Sequence, residues 1–173
     1  MEYRFEKRLC EGYAEEVRRI LYKADGEFVP TLSSRNGTTQ KNLSGGATAT
    51  ADPVEYFEVM RQQAFVLALD EGTVVGFLSF IPHHQIEIAG EKVECAYVST
   101  IVVDPAYRGK GLTEGMYEKL FCEMEDNRVA TRTWSKNHAH IHILEKEHFK
   151  LADTLKDDRG LGIDTVYYVK ELP

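Results

Sequence analysis

The spacing of apolar and polar positions changes several times along the chain, and each change predicts an element. "YRFEKRL" near the N-terminus predicts a first strand. In "EGYAEEVRRILYKAD", Tyr13, Val17, Ile20, Leu21 and Ala24 share one face of an amphipathic helix. Residues 31–52, "TLSSRNGTTQKNLSGGATATAD", hold no period: Ser, Thr, Gly and Asn dominate, little is apolar, and a long loop is predicted. A structureless loop of that length is uncommon inside a compact domain and is usually disordered or a functional lid. Asp52 as cap and Pro53 in the first helical position then open a second helix, "VEYFEVMRQQ", with Val54, Phe57 and Met60 at helical spacing.

"AFVLALDEGTVVGFLSFIPHHQ" and "KVECAYVSTIVVDP" contain three runs of β-branched and aromatic residues, which predict three adjacent, mainly antiparallel strands. Past a glycine turn, Leu112, Met116, Tyr117, Leu120, Phe121 and Met124 recur at helical intervals, so a third helix covers the sheet. "RVATRTW" reads as a strand, "NHAHIHILEKEHF" as a fourth helix and "GIDTVYYVKEL" as a closing strand. The alternation around residues 97–135 implies a βαβ unit within a mixed sheet. The fold class is therefore α/β (α+β).

With 173 residues the chain suits one domain, taken as 1–173, with a sizeable core. The balance of 21 basic and 28 acidic residues gives a net charge of −7, which argues against non-specific nucleic-acid binding and hints at a cationic small partner. No apolar run approaches the roughly 20 residues of a membrane helix, and "MEYRFEKRLC" has no signal-peptide pattern, so the expected location is cytoplasmic without membrane association. Cys10, Cys95 and Cys122 are odd in number and lack CxxC spacing, which fits neither a disulfide framework nor a zinc knuckle. His138 and His142 share a helix face, but without HExxH or a third ligand no metal is expected.

The stretch "STIVVDPAYRGKGLTEGMYEKL" passes from an apolar strand through a basic, glycine-containing turn into a helix. Glycines there let the backbone approach a ligand, and Arg108 and Lys110 add charge to the positive end of the helix dipole. A diphosphate fits this description. Neither GxxxxGK[ST] nor GxGxxG is present, so the Walker and Rossmann templates are not met.

"IVVDPAYRGKGL" resembles the coenzyme A signature of the GNAT acyltransferases: a hydrophobic strand, V.P, then [Q/R]xxGx[G/A] opening a helix. Thr113 stands where Gly or Ala is usual. "NHAHIHILEKEHF" is similar to the N...A..LYEK.GF block of the same family, and the resemblance covers roughly residues 54–170. It implies a GNAT-type mixed, mostly antiparallel sheet of six to seven strands flanked by about four helices, with acetyl-CoA as cosubstrate. The amides of Gly109, Lys110, Gly111, Leu112 and Thr113, together with Arg108, would take the pyrophosphate. Ile101 and Val103 would pair through their main chain with the pantetheine arm. Asn137 would contact the cofactor, cap the fourth helix, or do both.

The implied reaction is transfer of an acetyl group to a primary amine of a small molecule or protein, by direct attack in a ternary complex. An alkylammonium has a pKa of about 10.4, so its proton must be removed near neutral pH. Glu94 is the expected base, with His83 and His84 as rivals. The family's proton-donating tyrosine is replaced by Leu144, leaving His140, His148, Tyr97 or water as the acid. Residues 31–52 would form part of the acceptor wall. A catalytically silent acyl-CoA sensor is the alternative that Leu144 favours. Homodimers are common among such enzymes.

Overall fold

The computed structural model describes residues 1–43 and 52–173. Its strands are β1 (Glu2–Glu6), β2 (Ala64–Asp70), β3 (Thr73–Ile88), β4 (Glu91–Val103), β5 (Arg128–Trp134), β6 (Lys150–Leu155) and β7 (Thr165–Glu171). They form one sheet in the order β1-β2-β3-β4-β5-β7-β6. Every neighbouring pair is antiparallel except β4 and β5. A parallel pair needs a crossover, and the third helix supplies it, as the strand–helix–strand pattern predicts. Among the described residues the α-helices are α1 (Glu11–Ala24), α2 (Val54–Met60), α3 (Leu112–Glu123) and α4 (His138–Lys146).

The helices lie on both faces of the sheet, giving two cores. On one side Val17, Ile20 and Leu21 of α1 and Phe57 and Met60 of α2 pack on Phe65, Leu67 and Phe77. On the other, Met116, Tyr117 and Leu120 of α3 and Leu144 of α4 pack on Val66, Leu78 and Val129. Strand β2 is covered on both faces, and so reads as an unbroken apolar run rather than an alternating one. Gly115 allows α3 to lie close over β1: a Cβ there would come within 2.2 Å of the Tyr3 ring.

Several expectations change. Strand β6 has a mostly exposed pattern and a register shift against β7, so no apolar alternation announces it. The β3–β4 hairpin continues past Pro82 to Ile88, after an irregularity at Ile81–His84 where His83 has a φ of 51°. Val54 faces outward at 54% exposure, and Tyr56 joins Phe57 and Met60 in the core instead. Asp52 caps α2 through its main-chain carbonyl, which accepts from Val54 N–H at 2.9 Å, and the helix begins after Pro53.

The predicted loop is partly structured. Leu32–Ser34 form a 3-10 turn whose Ser33 donates its N–H and hydroxyl to the Asp25 carboxylate, each at 2.7 Å. Leu32 and Leu43 are buried, which ties residues 31–43 to the body of the protein. The rest of that predicted loop, 44–51, lies outside the described residues. Among the described residues no helix is long and apolar enough to cross a membrane.

Candidate active site

One extra residue in β4 opens the sheet. Phe80 pairs with Val98 while Ser79 pairs with Thr100, so Ser99 is a bulge. A bulge bends and twists its strand. The parallel ladder with β5 accordingly ends at Val98–Thr131, and β4 and β5 part beyond it. A polar cluster fixes the bend: the Ser99 hydroxyl reaches Ser79 at 2.9 Å and Gln63 at 2.6 Å, and the Tyr56 hydroxyl reaches Thr100 at 2.6 Å.

The gap leads into a cavity of about 540 Å³, lined from both sides of the sheet. Along one wall runs the open edge of β4. Asp104 N–H bonds Val75 O in β3, so by the alternation of a strand Ile101 and Val103 turn their main-chain groups towards the gap. The Val103 carbonyl already accepts from Arg108 Nε at 3.1 Å.

At one end of the cavity α3 begins. Gly109 and Gly111 have φ of 76° and 79°, left-handed values that favour glycine, and Gly111 is the residue preceding the helix. The first main-chain bond of the helix runs from Gly115 N–H to Gly111 O at 3.0 Å, which leaves the preceding amides without helical partners beside the cavity. These amides and the helix dipole favour an anion. Arg108 is less free than the motif implies, because its two terminal nitrogens bind both Glu27 oxygens at 2.6 and 2.8 Å. Lys110 lies over the Tyr107 ring with Nζ 5.0 Å from its centre.

Asn137 precedes α4 and lines the cavity, but its side chain makes no cap bond and donates to Thr133 Oγ1 at 3.0 Å. His140 also lines the cavity, with Nε2 2.9 Å from the Tyr117 hydroxyl. Burial pushes the His140 imidazole down to about 4 and holds the Tyr117 phenol above its ordinary value. His140 is therefore neutral at neutral pH. Leu144 is fully buried in the α3–α4 core and donates nothing. The sequence pointed to His140 only as a neighbour of Leu144 one turn away, and its bond to Tyr117 had no sequence signal.

Glu94 lies apart from the cavity. It sits two residues before the first β4–β5 pair and four before the last, or about 13 Å along an extended strand from the point where the two part. It is not part of the cavity wall. Its exposed carboxylate instead lies 3.3 Å from His83 Nδ1, beside Asp126 in the α3–β5 connection. The cavity wall includes two other carboxylates, and both are paired: Glu27 with Arg108, and Glu114 with Lys146 at 2.8 Å. Glu94→Gln is expected to leave kcat within about twofold of wild type, where loss of a true general base costs about a hundredfold. Steady-state kinetics decide it, and a large drop would return Glu94 to the mechanism.

Residues 38–149 match the family model of the acetyltransferase (GNAT) family, which is more than half of the chain, and the protein belongs to that family. It is thus an acyltransferase, and acetyl-CoA is the cosubstrate. Among solved structures, aminoglycoside 6'-acetyltransferase type Ii superposes with a TM-score of 0.72 at 17% identity, covering 100% of this chain and 99% of that one. Ribosomal-protein-alanine N-acetyltransferase from Brucella melitensis gives 0.71 at 17% identity, covering 99% and 100%. The yncA protein of Salmonella typhimurium, solved with its cofactor acetyl-CoA, gives 0.67 at 15% identity, covering 100% and 95%. At these identities the likeness shows the fold. No curated protein matches the sequence.

Proposed function

We propose that the protein transfers the acetyl group of acetyl-CoA to a primary amine of a small molecule or protein by direct attack in a ternary complex. The observation that carries this reading is the gap between β4 and β5, which ends on the unpartnered amides at the start of α3. The residues present fit the cosubstrate. Amides at 109–113 and the dipole of α3 suit a diphosphate, and the open main chain at Ile101 and Val103 suits the amide groups of a pantetheine arm. Asn137 stands beside the same channel.

Bound there, acetyl-CoA supplies an activated acetyl group as a thioester. This chain's residues do the rest. A main-chain N–H at the Ser99 bulge polarises the acetyl carbonyl. His140, backed by the Tyr117 hydroxyl, donates a hydrogen bond from its neutral imidazole to the departing sulfur, which takes its proton from water. Water accepts the proton of the amine, because neither Glu27 nor Glu114 is free to do so. Direct attack is favoured over an acyl-enzyme because no cysteine lines the cavity, and burial pushes the Cys95 thiol up to about 12. The test is release of CoA thiol from acetyl-CoA with a panel of amines. Amine-dependent release is expected, and acetyl-CoA binding without release for any amine would overturn the reading.

A further inference from the structure

At the end of the cavity away from the α3 amides, three guanidinium groups converge without an ion-paired acid. Arg35 follows the 3-10 turn, Arg132 belongs to β5, and Arg159 lies in the β6–β7 connection. Arg35 and Arg159 are only 7% and 6% exposed. Their partners are neutral: Arg35 Nη2 donates to Pro30 O at 2.8 Å, Arg159 donates to Val29 O at 2.8 Å and Thr165 Oγ1 at 2.9 Å, and Arg132 donates to Gln40 O. Among the described residues no ion pair involves any of the three. Asp158 and Asp25 lie near enough to act on Arg159 and Arg35 through their charge, but neither forms an ion pair with them: Asp158 accepts from the Thr165 hydroxyl at 2.6 Å and Asp25 from Ser33.

The chain has 28 acidic residues, so counter-charges are not scarce; they are placed elsewhere. Burying charge without a partner costs several kcal/mol per ion, roughly. The strain is visible at Arg159, which burial, Arg35 and Arg132 together push down to about 9. Such perturbed clusters in clefts mark ligand sites, and the planar fork of arginine matches carboxylate and phosphate oxygens. Phe28 lies 6.0 Å beneath Arg35 and 5.8 Å from Trp134, giving the same end an apolar wall for a carbon skeleton.

We infer that the acceptor is an amine that also carries an anionic group, a carboxylate or phosphate ester, held by Arg35, Arg132 and Arg159. This rests on the acetyl-transfer reading above, and it reverses the cationic partner hinted at by the net charge of −7. It also explains how water suffices as base, since neighbouring cations lower the pKa of an ammonium group.

The test uses the full chain with inorganic phosphate and succinate as anion probes. Calorimetry should give a Kd at least about tenfold weaker for these anions in Arg132→Gln and Arg159→Gln, with acetyl-CoA affinity within about twofold of wild type. Arg132→Lys keeps the charge but loses the fork, and replaces the glutamine variant if that does not fold; about a fivefold weakening is expected. In thiol-release assays O-phosphoethanolamine should exceed ethanolamine, or glycine exceed glycinamide, by about 100-fold in kcat/KM, and the variants should erase that preference. The pair that responds separates phosphate from carboxylate. Equal anion binding in wild type and variants would overturn the inference, as would parallel loss of acetyl-CoA affinity, which would assign the arginines to the cosubstrate. Arginine-dependent anion binding without transfer to any amine supports the anion site while removing the acetyl-transfer reading. Transfer to uncharged amines with variant-insensitive anion binding does the reverse.

Discussion

Gly111→Asp is expected to weaken acetyl-CoA binding about 100-fold, or about 3 kcal/mol, while the protein stays folded. The two effects separate because of where Gly111 sits. Its φ of 79° is left-handed, a region that Asp enters more readily than most residues, and nothing lies within 4 Å of a Cβ built there. Asp is also a favoured residue immediately before a helix, and a carboxylate at that end complements the dipole. A left-handed backbone strains any side chain, so a loss of about 1 kcal/mol is expected, too small to unfold the protein. The same carboxylate would occupy the amides proposed for the diphosphate and repel its charge. Calorimetry with acetyl-CoA, alongside a thermal melt, reads both quantities. A variant that binds as tightly as wild type would remove this turn from cosubstrate binding.

His140→Leu is expected to lower kcat about 100-fold with acetyl-CoA affinity nearly unchanged, the loss expected when a preorganised hydrogen-bond donor to the developing thiolate is removed. Tyr117→Phe, which leaves the imidazole in place without its hydroxyl partner, should cost about tenfold. The pH profile distinguishes this from a packing defect. Because burial pushes His140 down to about 4, the imidazole carries no net charge across the neutral range and donates as a neutral group. The kcat should thus show no loss as pH rises through 6.5, the value of a free imidazole. A fall centred there would make imidazolium the donor. Unchanged kcat in both variants would remove the His140–Tyr117 pair from stabilisation of the departing sulfur.

What the sequence revealed follows from which interactions are local. The βα turn was legible because its glycines, its basic residues and the helix after it are contiguous. The helix faces of α1 and α3 were legible because periodicity records burial directly. Strand β6 was not, since an exposed edge needs no apolar alternation, and the far half of the β3–β4 hairpin was obscured by "PHHQ", which reads as a turn. The distance of Glu94 from the cavity was not legible because strand position alone does not say where two strands stop pairing. The arginine cluster was hidden differently: Arg35, Arg132 and Arg159 come from three separate segments. Arg132 did leave a trace, since in "RVATRTW" Val129, Thr131 and Thr133 share one face and Arg132 lies on the other. An arginine facing inward from a central strand asks for a counter-charge. The segment holding Arg35 gave the opposite impression, its polar composition masking the burial of Leu32 and Leu43.

The gap between β4 and β5 descends from a single insertion in the ladder. Without Ser99 the two parallel strands would zip together to their ends, and the molecule would be a more regular sandwich with a seamless, inert middle. Natural variants that shorten β4 by that one residue would then be expected to keep the architecture and forfeit the chemistry. The polar cluster of Tyr56, Gln63, Ser79, Ser99 and Thr100 is what props the fault line open.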